Sequence, residues 1–344
     1  MKIIRYILTG AMLVGMSACQ KDNTGWVVKE PEEVTELSRK PVKPTQFEIP
    51  VTRPEIISEA DRQNFIGHRL RDYSWQLFRK YYHERKESQK LDNNLVLAPY
   101  NMLTSLRKHL GDLDVKTQIQ LLKEIGLGEF PLEEVNEYCK TTDIFSHLDE
   151  DVAVRNDGNS PSIRAHWRAL FPIAYTQKEM FHKADDTNKE VDMMYGSKSC
   201  YERSFQNYTI VKLNLGSYLQ AFFVRPNYYS TIDDVIQSFR MADLNNITNC
   251  LKGINMWMPK FDVQDSLSLE LSASDEQVHI EQNVVLKFSE SGVVDATQKL
   301  WKENNATYSD PYAGGSNFRL DKPFIYGIVE SVSGLPLYIG YYGY

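Results

Sequence analysis

No apolar run in this chain is long enough to cross a bilayer as a helix, which takes roughly 20 residues; the best candidate, Tyr6 to Ala18, has 13. Cysteine is scarce: Cys19, Cys139, Cys200 and Cys250 show no CxxC or other metal-ligand spacing. That excludes a disulfide scaffold and a zinc site. HExxH, GxSxG and glycine-rich phosphate loops are missing, and Gly314-Gly315 reads as a flexible turn. His68, His83, His109, His147, His166, His182 and His279 lie in no catalytic motif. His147 with Asp149, Glu150 and Asp151 reads as a solvated loop, not a ligand set. His279 and Glu281 share a strand face, but two ligands make no site. Excess positive charge is lacking too, with 39 Lys and Arg against 46 Asp and Glu, which argues against a nucleic-acid partner. No enzyme activity, metal or cofactor is expected.

The start of the chain carries an address. Lys2 and Arg5 precede the short apolar run, which ends in Met16-Ser17-Ala18-Cys19. This is the layout of a signal peptide with small residues before a cysteine to be lipidated. Residues 1–18 are therefore expected to be removed and Cys19 to carry lipid, taking the net charge from −7 to −9 by loss of two positives. Gln20-Lys21-Asp22 resembles the signal that sends lipoproteins to the outer face of the outer membrane in some Gram-negative bacteria. From residue 19 to 57 the chain carries Pro31, Pro41, Pro44, Pro50 and Pro54 among charges and reads as a tether. Its reach is about 35 Å on average.

Residues 58–344 hold the folded domain. Phe65, Leu70, Tyr73, Trp75, Leu77, Phe78 and Tyr81 recur at mostly helical spacing, predicting an amphipathic helix from Phe65 to Tyr82. Further helices are predicted after Pro99 and from Thr117 to Ile125, where Gly126 stops the run. Strand-like runs follow at Thr209–Leu215, Leu219–Val224, Ile254–Met258, Val284–Phe288, Phe324–Val329 and Leu337–Tyr341, interrupted by one helix through Ile232 and Phe239. Helices first and antiparallel strands later predict an α+β domain.

Asn94-Leu95-Val96-Leu97-Ala98-Pro99 before a helix, Trp167, Phe171, Thr176 and Phe181 at offsets of 4, 9 and 14, Met193-Met194, Trp257-Met258-Pro259-Lys260-Phe261, and Lys322-Pro323-Phe324-Ile325 through Gly340 occur in this order. Together they resemble the serpin family. The resemblance implies mixed and antiparallel sheets, a monomer, and inhibition of an extracellular serine (or cysteine) protease through an exposed reactive loop. The loop would leave a hinge at Ser289-Glu290-Ser291-Gly292 and run from Val293 to about Asn317. It implies roles beneath the main sheet for Asn94, Ala98, Pro99 and Trp167; Ala98 stands where inhibitors usually have serine. Counting from Gly292 puts the scissile bond at Ala306-Thr307, with Lys302 or Tyr308 as alternatives.

Family inhibitors follow the hinge glycine with threonine or serine and several alanines. Here Val293-Val294-Asp295-Ala296-Thr297-Gln298-Lys299 matches only at Ala296 and Thr297. By strand alternation Val293, Asp295, Thr297 and Lys299 share a face, and burying unpaired charges costs several kcal/mol each. The 40 residues between Gly126 and Trp167 are fewer than the family uses, the segment between Phe261 and Val284 is also short, and Pro161 lies where a central strand is expected. A non-inhibitory binding or structural lipoprotein on the same scaffold is the alternative reading.

Overall fold

The computed structural model describes residues 59–88, 94–143, 152–155, 160–245, 247, 251–273, 276–294 and 315–343. Cys19, the tether, the His147 group, Cys250, Asp295, Ala296, Thr297, Lys302, Ala306, Thr307 and Tyr308 lie outside the described residues.

Four helices fill the first part of the described chain, with one three-residue strand, Leu95–Leu97, between the first two: α1 (Glu59–Glu87), α2 (Pro99–Leu110), α3 (Val115–Glu124) and α4 (Leu132–Asp143). α1 extends beyond the predicted Phe65–Tyr82. Its buried stripe of Ile66, Leu70, Tyr73, Leu77, Phe78, Tyr81 and Tyr82 keeps the 3.6-residue period, and Arg85 and Lys86 close its last turn against the helix dipole. Pro99 opens α2, where its missing N–H has no helical partner to lose. Asp114 caps α3, accepting hydrogen bonds from the Lys116 and Thr117 amides.

The strands are β1 (Leu95–Leu97), β2 (Val152–Arg155), β3 (Ser162–His166), β4 (Gln177–His182), β5 (Asn188–Ser204), β6 (Tyr208–Leu215), β7 (Leu219–Pro226), β8 (Leu251–Pro259), β9 (Phe261–Ala273), β10 (Glu276–Phe288), β11 (Gly292–Val294), β12 (Ser316–Arg319), β13 (Phe324–Glu330) and β14 (Pro336–Tyr342). Two short helices, α5 (Ile232–Ser238) and α6 (Ala242–Asn245), separate β7 from β8. Nine strands form one sheet in the order β1-β14-β13-β7-β6-β5-β8-β12, with β4 beside the first part of β5. Five form a second, in the order β2-β3-β11-β10-β9. Among the described residues, every strand pairing is antiparallel except β8 with β12. The mixed helix and antiparallel-sheet content is the α+β fold expected.

Aromatic side chains fill the space between the sheets. Phe261 stacks on Phe288 at 4.4 Å, and Tyr326 meets both edge-on. Phe223 and Trp167 extend the layer, and a bridge between Trp167 and Leu215 ties the sheets together.

Several strand expectations need correction. The segment from Phe261 to Phe288 is a hairpin of two 13-residue strands, not a short connection leading to Val284–Phe288. Its inward positions alternate cleanly, but Asp265 and Gln282 stand among them and break the apolar pattern. β4 and the 17-residue β5 were not predicted; β5 changes partners along its length, pairing β4, then β8, then β6. Pro226 and Pro259 end their strands from within. Pro161 does precede a short strand: β3 begins at Ser162 and has five residues.

Candidate functional site

The exposed loop was expected to begin at Val293, but Val293 and Val294 are strand residues and fully buried. After Phe288 the chain reverses through Ser289-Glu290-Ser291. The Ser289 amide donates to Gly292 O at 2.9 Å, and the Gly292 amide returns a bond to Ser289 O at 3.3 Å. β11 then runs back between β10 and β3, with Val293 opposite Phe288 and Ala165, and Val294 opposite Lys287 and Arg164. Val293 therefore faces the core, while Val294 lies on the outer face between two basic side chains. The loop's far end also falls in strand, since Ser316 and Asn317 open β12.

Glycine is required at 292. Its φ is +153°, and a methyl group there would run into the Ala165 carbonyl oxygen. The neighbouring strand approaches the backbone too closely for any side chain.

Trp167 holds the reversal from below. Its indole N–H donates to Ser289 O at 2.7 Å, and its backbone amide donates to Ser291 O at 3.1 Å. Its ring packs against Phe171, Phe223 and Phe288. Glu290 is held from the side. Its carboxylate accepts from Thr176 Oγ1 at 3.0 Å and pairs with Lys260 Nζ at 3.0 Å, while its carbonyl accepts from the Phe171 amide at 3.0 Å. The carboxylate is nearly buried and Lys260 partly exposed, so this pair is shielded more than a surface one.

A second cluster lies lower on β10. Gln282, 1% exposed, accepts from the Ala98 amide at 2.8 Å. It donates to Ala98 O and to Asn101 Oδ1, each at 2.8 Å. Ala98 supplies no side-chain cap to α2, so the Gln282 amide occupies the backbone groups at that helix start. One strand over, Asp265 pairs with Arg85 and accepts from the Val96 amide at 3.2 Å. Burial pushes its carboxyl above the usual range despite the pull of Arg85.

The structure thus brings Trp167, Glu290, Gly292 and Val293 together, and places Ala98 and Pro99 with Gln282. Asn94 joins the Asp265 pair through its carbonyl, which accepts from Arg85 at 2.8 Å, while its side chain accepts from the Gly343 amide at 3.0 Å. His279 sits on the exposed face of the hairpin with its two ring nitrogens against Glu270 and Glu281. Gln282 went unnoticed in the sequence, although one amide among Val278, Ile280, Val284 and Leu286 was its signal. Lys260 and Thr176 were visible as spacing, but nothing local linked them to Glu290. No helix among the described residues is long and apolar enough to span a membrane.

A family model described as "Serpin (serine protease inhibitor)" matches residues 142–275. Mouse alpha-2-antiplasmin is 24% identical over 250 residues, covering 64% of this chain and 49% of that protein; the chain spans about half the length of this relative. Human thyroxine-binding globulin, solved with its hormone, superposes with a TM-score of 0.65 at 14% identity, over 81% of this chain and 98% of that one. The native thermophilic serpin tengpin gives 0.64 at 14% identity, over 86% and 96%.

Proposed function

Because this is a serpin-family chain whose hinge already forms part of the sheet, we propose that it is an inhibitor of extracellular serine-type (or cysteine) endopeptidases acting through a cleavable loop. The observation that carries this reading is β11. Gly292–Val294 pairs on both sides, so the path an inserting loop takes between β3 and β10 is open at its entrance. Insertion traps a protease by a change of sheet partner, with no catalytic group needed.

The register sets the barrier. Continuing β11 by one residue aligns Asp295 with Leu286 and Ile163, both wholly buried. An unpaired carboxylate there costs several kcal/mol. Insertion past Val294 is therefore slow, and a bound protease divides between arrest and release. The same observation, with the short β3, favours a second reading in which the loop is cut without arrest and the scaffold serves binding, as the thyroxine-binding neighbour does.

We further propose that the protein is lipidated at Cys19 and held at the outer membrane by the tether of residues 19–57, which lets residues 295–315 meet proteases at the surface. An elastase-like enzyme suits cleavage at Ala306-Thr307.

Incubation of the purified protein with elastase-like, chymotrypsin-like and trypsin-like proteases tests the reading. The inhibitor gives an SDS-resistant complex beside cleaved chain. Cleaved chain alone, across all three, leaves the binding reading.

A further inference from the structure

β5 carries a buried lysine where its neighbours facing the core are apolar or small. Met194, Gly196, Lys198 and Cys200 occupy alternate buried positions, and Lys198 is 3% exposed. A charge so placed persists only where its protons are satisfied. The ammonium donates to Ala169 O at 2.7 Å and to Leu170 O at 2.6 Å. It also lies 3.8 Å from the centroid of the Phe171 ring, a close cation–π contact. Gly196 leaves room for the side chain, since a methyl group there would lie 3.2 Å from its Cε.

Ala169 and Leu170 form the turn between Trp167 and Phe171, and both ends of that turn grip the hinge. Trp167 bonds Ser289 and Ser291, and the Phe171 amide bonds Glu290. We propose that Lys198 is a positioning residue for the hinge: its ammonium fixes the turn from Trp167 to Phe171, and through Glu290 that turn keeps Gly292–Val294 in the sheet. The inference concerns retention of β11 and stands whether or not the loop arrests a protease, so the two fail separately.

Amide hydrogen exchange on the whole protein and on Lys198→Met tests it. Met fills the space without donors. Exchange at Val293 and Val294 is expected to quicken about tenfold, with β9 and α1 unchanged. Phe171→Leu removes the ring face and keeps apolar volume; it gives the same local pattern at smaller amplitude, and decides the matter if Lys198→Met does not fold. Lys212→Met changes a buried lysine whose ammonium sits over the Tyr201 ring and not on the turn from Trp167 to Phe171, and leaves hinge exchange as it was. Uniform acceleration across the chain, no change at the hinge in either test variant, or the same hinge response in Lys212→Met overturns the proposal.

Discussion

The two flanks of β11 are built to different lengths. On one side stands β10, a 13-residue strand backed along its whole length by β9. On the other stands β3, five residues long and starting directly after Pro161, with the four-residue β2 behind it. An entering strand would find hydrogen-bond partners along all of β10 but on β3 only as far as Ser162. The long flank guides and the short flank limits. The two sides also differ in how they are tied down: β10 is bound to α2 through Gln282, whereas the end of β3 is secured through Trp167 at the hinge.

Breaking the shared boundary has the largest expected effect. Gly292→Ala forces β11 away from Ala165 and frees both flanks, at a cost of about 2–4 kcal/mol. Chemical denaturation reads the loss, and hydrogen exchange shows it centred on Val293 and Val294. Loosening only the long flank costs less. Gln282→Leu leaves the buried Ala98 amide without its acceptor and takes one donor each from Ala98 O, which keeps the Met102 amide, and Asn101 Oδ1; it is expected to destabilise by about 1–3 kcal/mol, with exchange rising at the start of α2 and little change at the hinge.

A site remote from both flanks sharpens the contrast. Lys212 on β6 is 4% exposed, and burial pulls its pKa down to about 8. Below that pH the amine is charged in both the folded and unfolded states, so the burial penalty is constant. As pH rises from about 8 toward the ordinary lysine value, the unfolded chain holds the proton longer than the native one, and stability climbs. Lys212→Met should abolish that climb and add about 1–2 kcal/mol at neutral pH, leaving the hinge untouched. Urea melts at pH 7 and pH 9.5 check both statements.

The long flank was partly legible in the sequence, because the residues from Phe261 to Phe288 alternate between apolar and polar. What hid it were Asp265 and Gln282, polar groups at inward positions whose partners, Arg85 and Ala98, are more than 150 residues away along the chain. The hinge was found only through its resemblance to a family, since Ser289 to Gly292 contains no periodic signal of its own. Whether Val293 belonged to loop or sheet depended on the Ala165 strand lying beside it, which no local pattern encodes. Lys198 was invisible for a similar reason: its acceptors are backbone carbonyls, which leave no trace in side-chain identity. The apolar helix and strand cores, by contrast, declared themselves through period alone.

The central claim is the proposal that insertion beyond Val294 is held back by the charge of Asp295, because a β11 lengthened by one residue would run between the buried Leu286 and Ile163. The most direct measurement is the melting temperature before and after loop cleavage, in the natural protein and in Asp295→Ala. The account predicts a larger gain on cleavage in Asp295→Ala, by about 2 °C for each kcal/mol of relieved burial. Equal gains in the two proteins would contradict it.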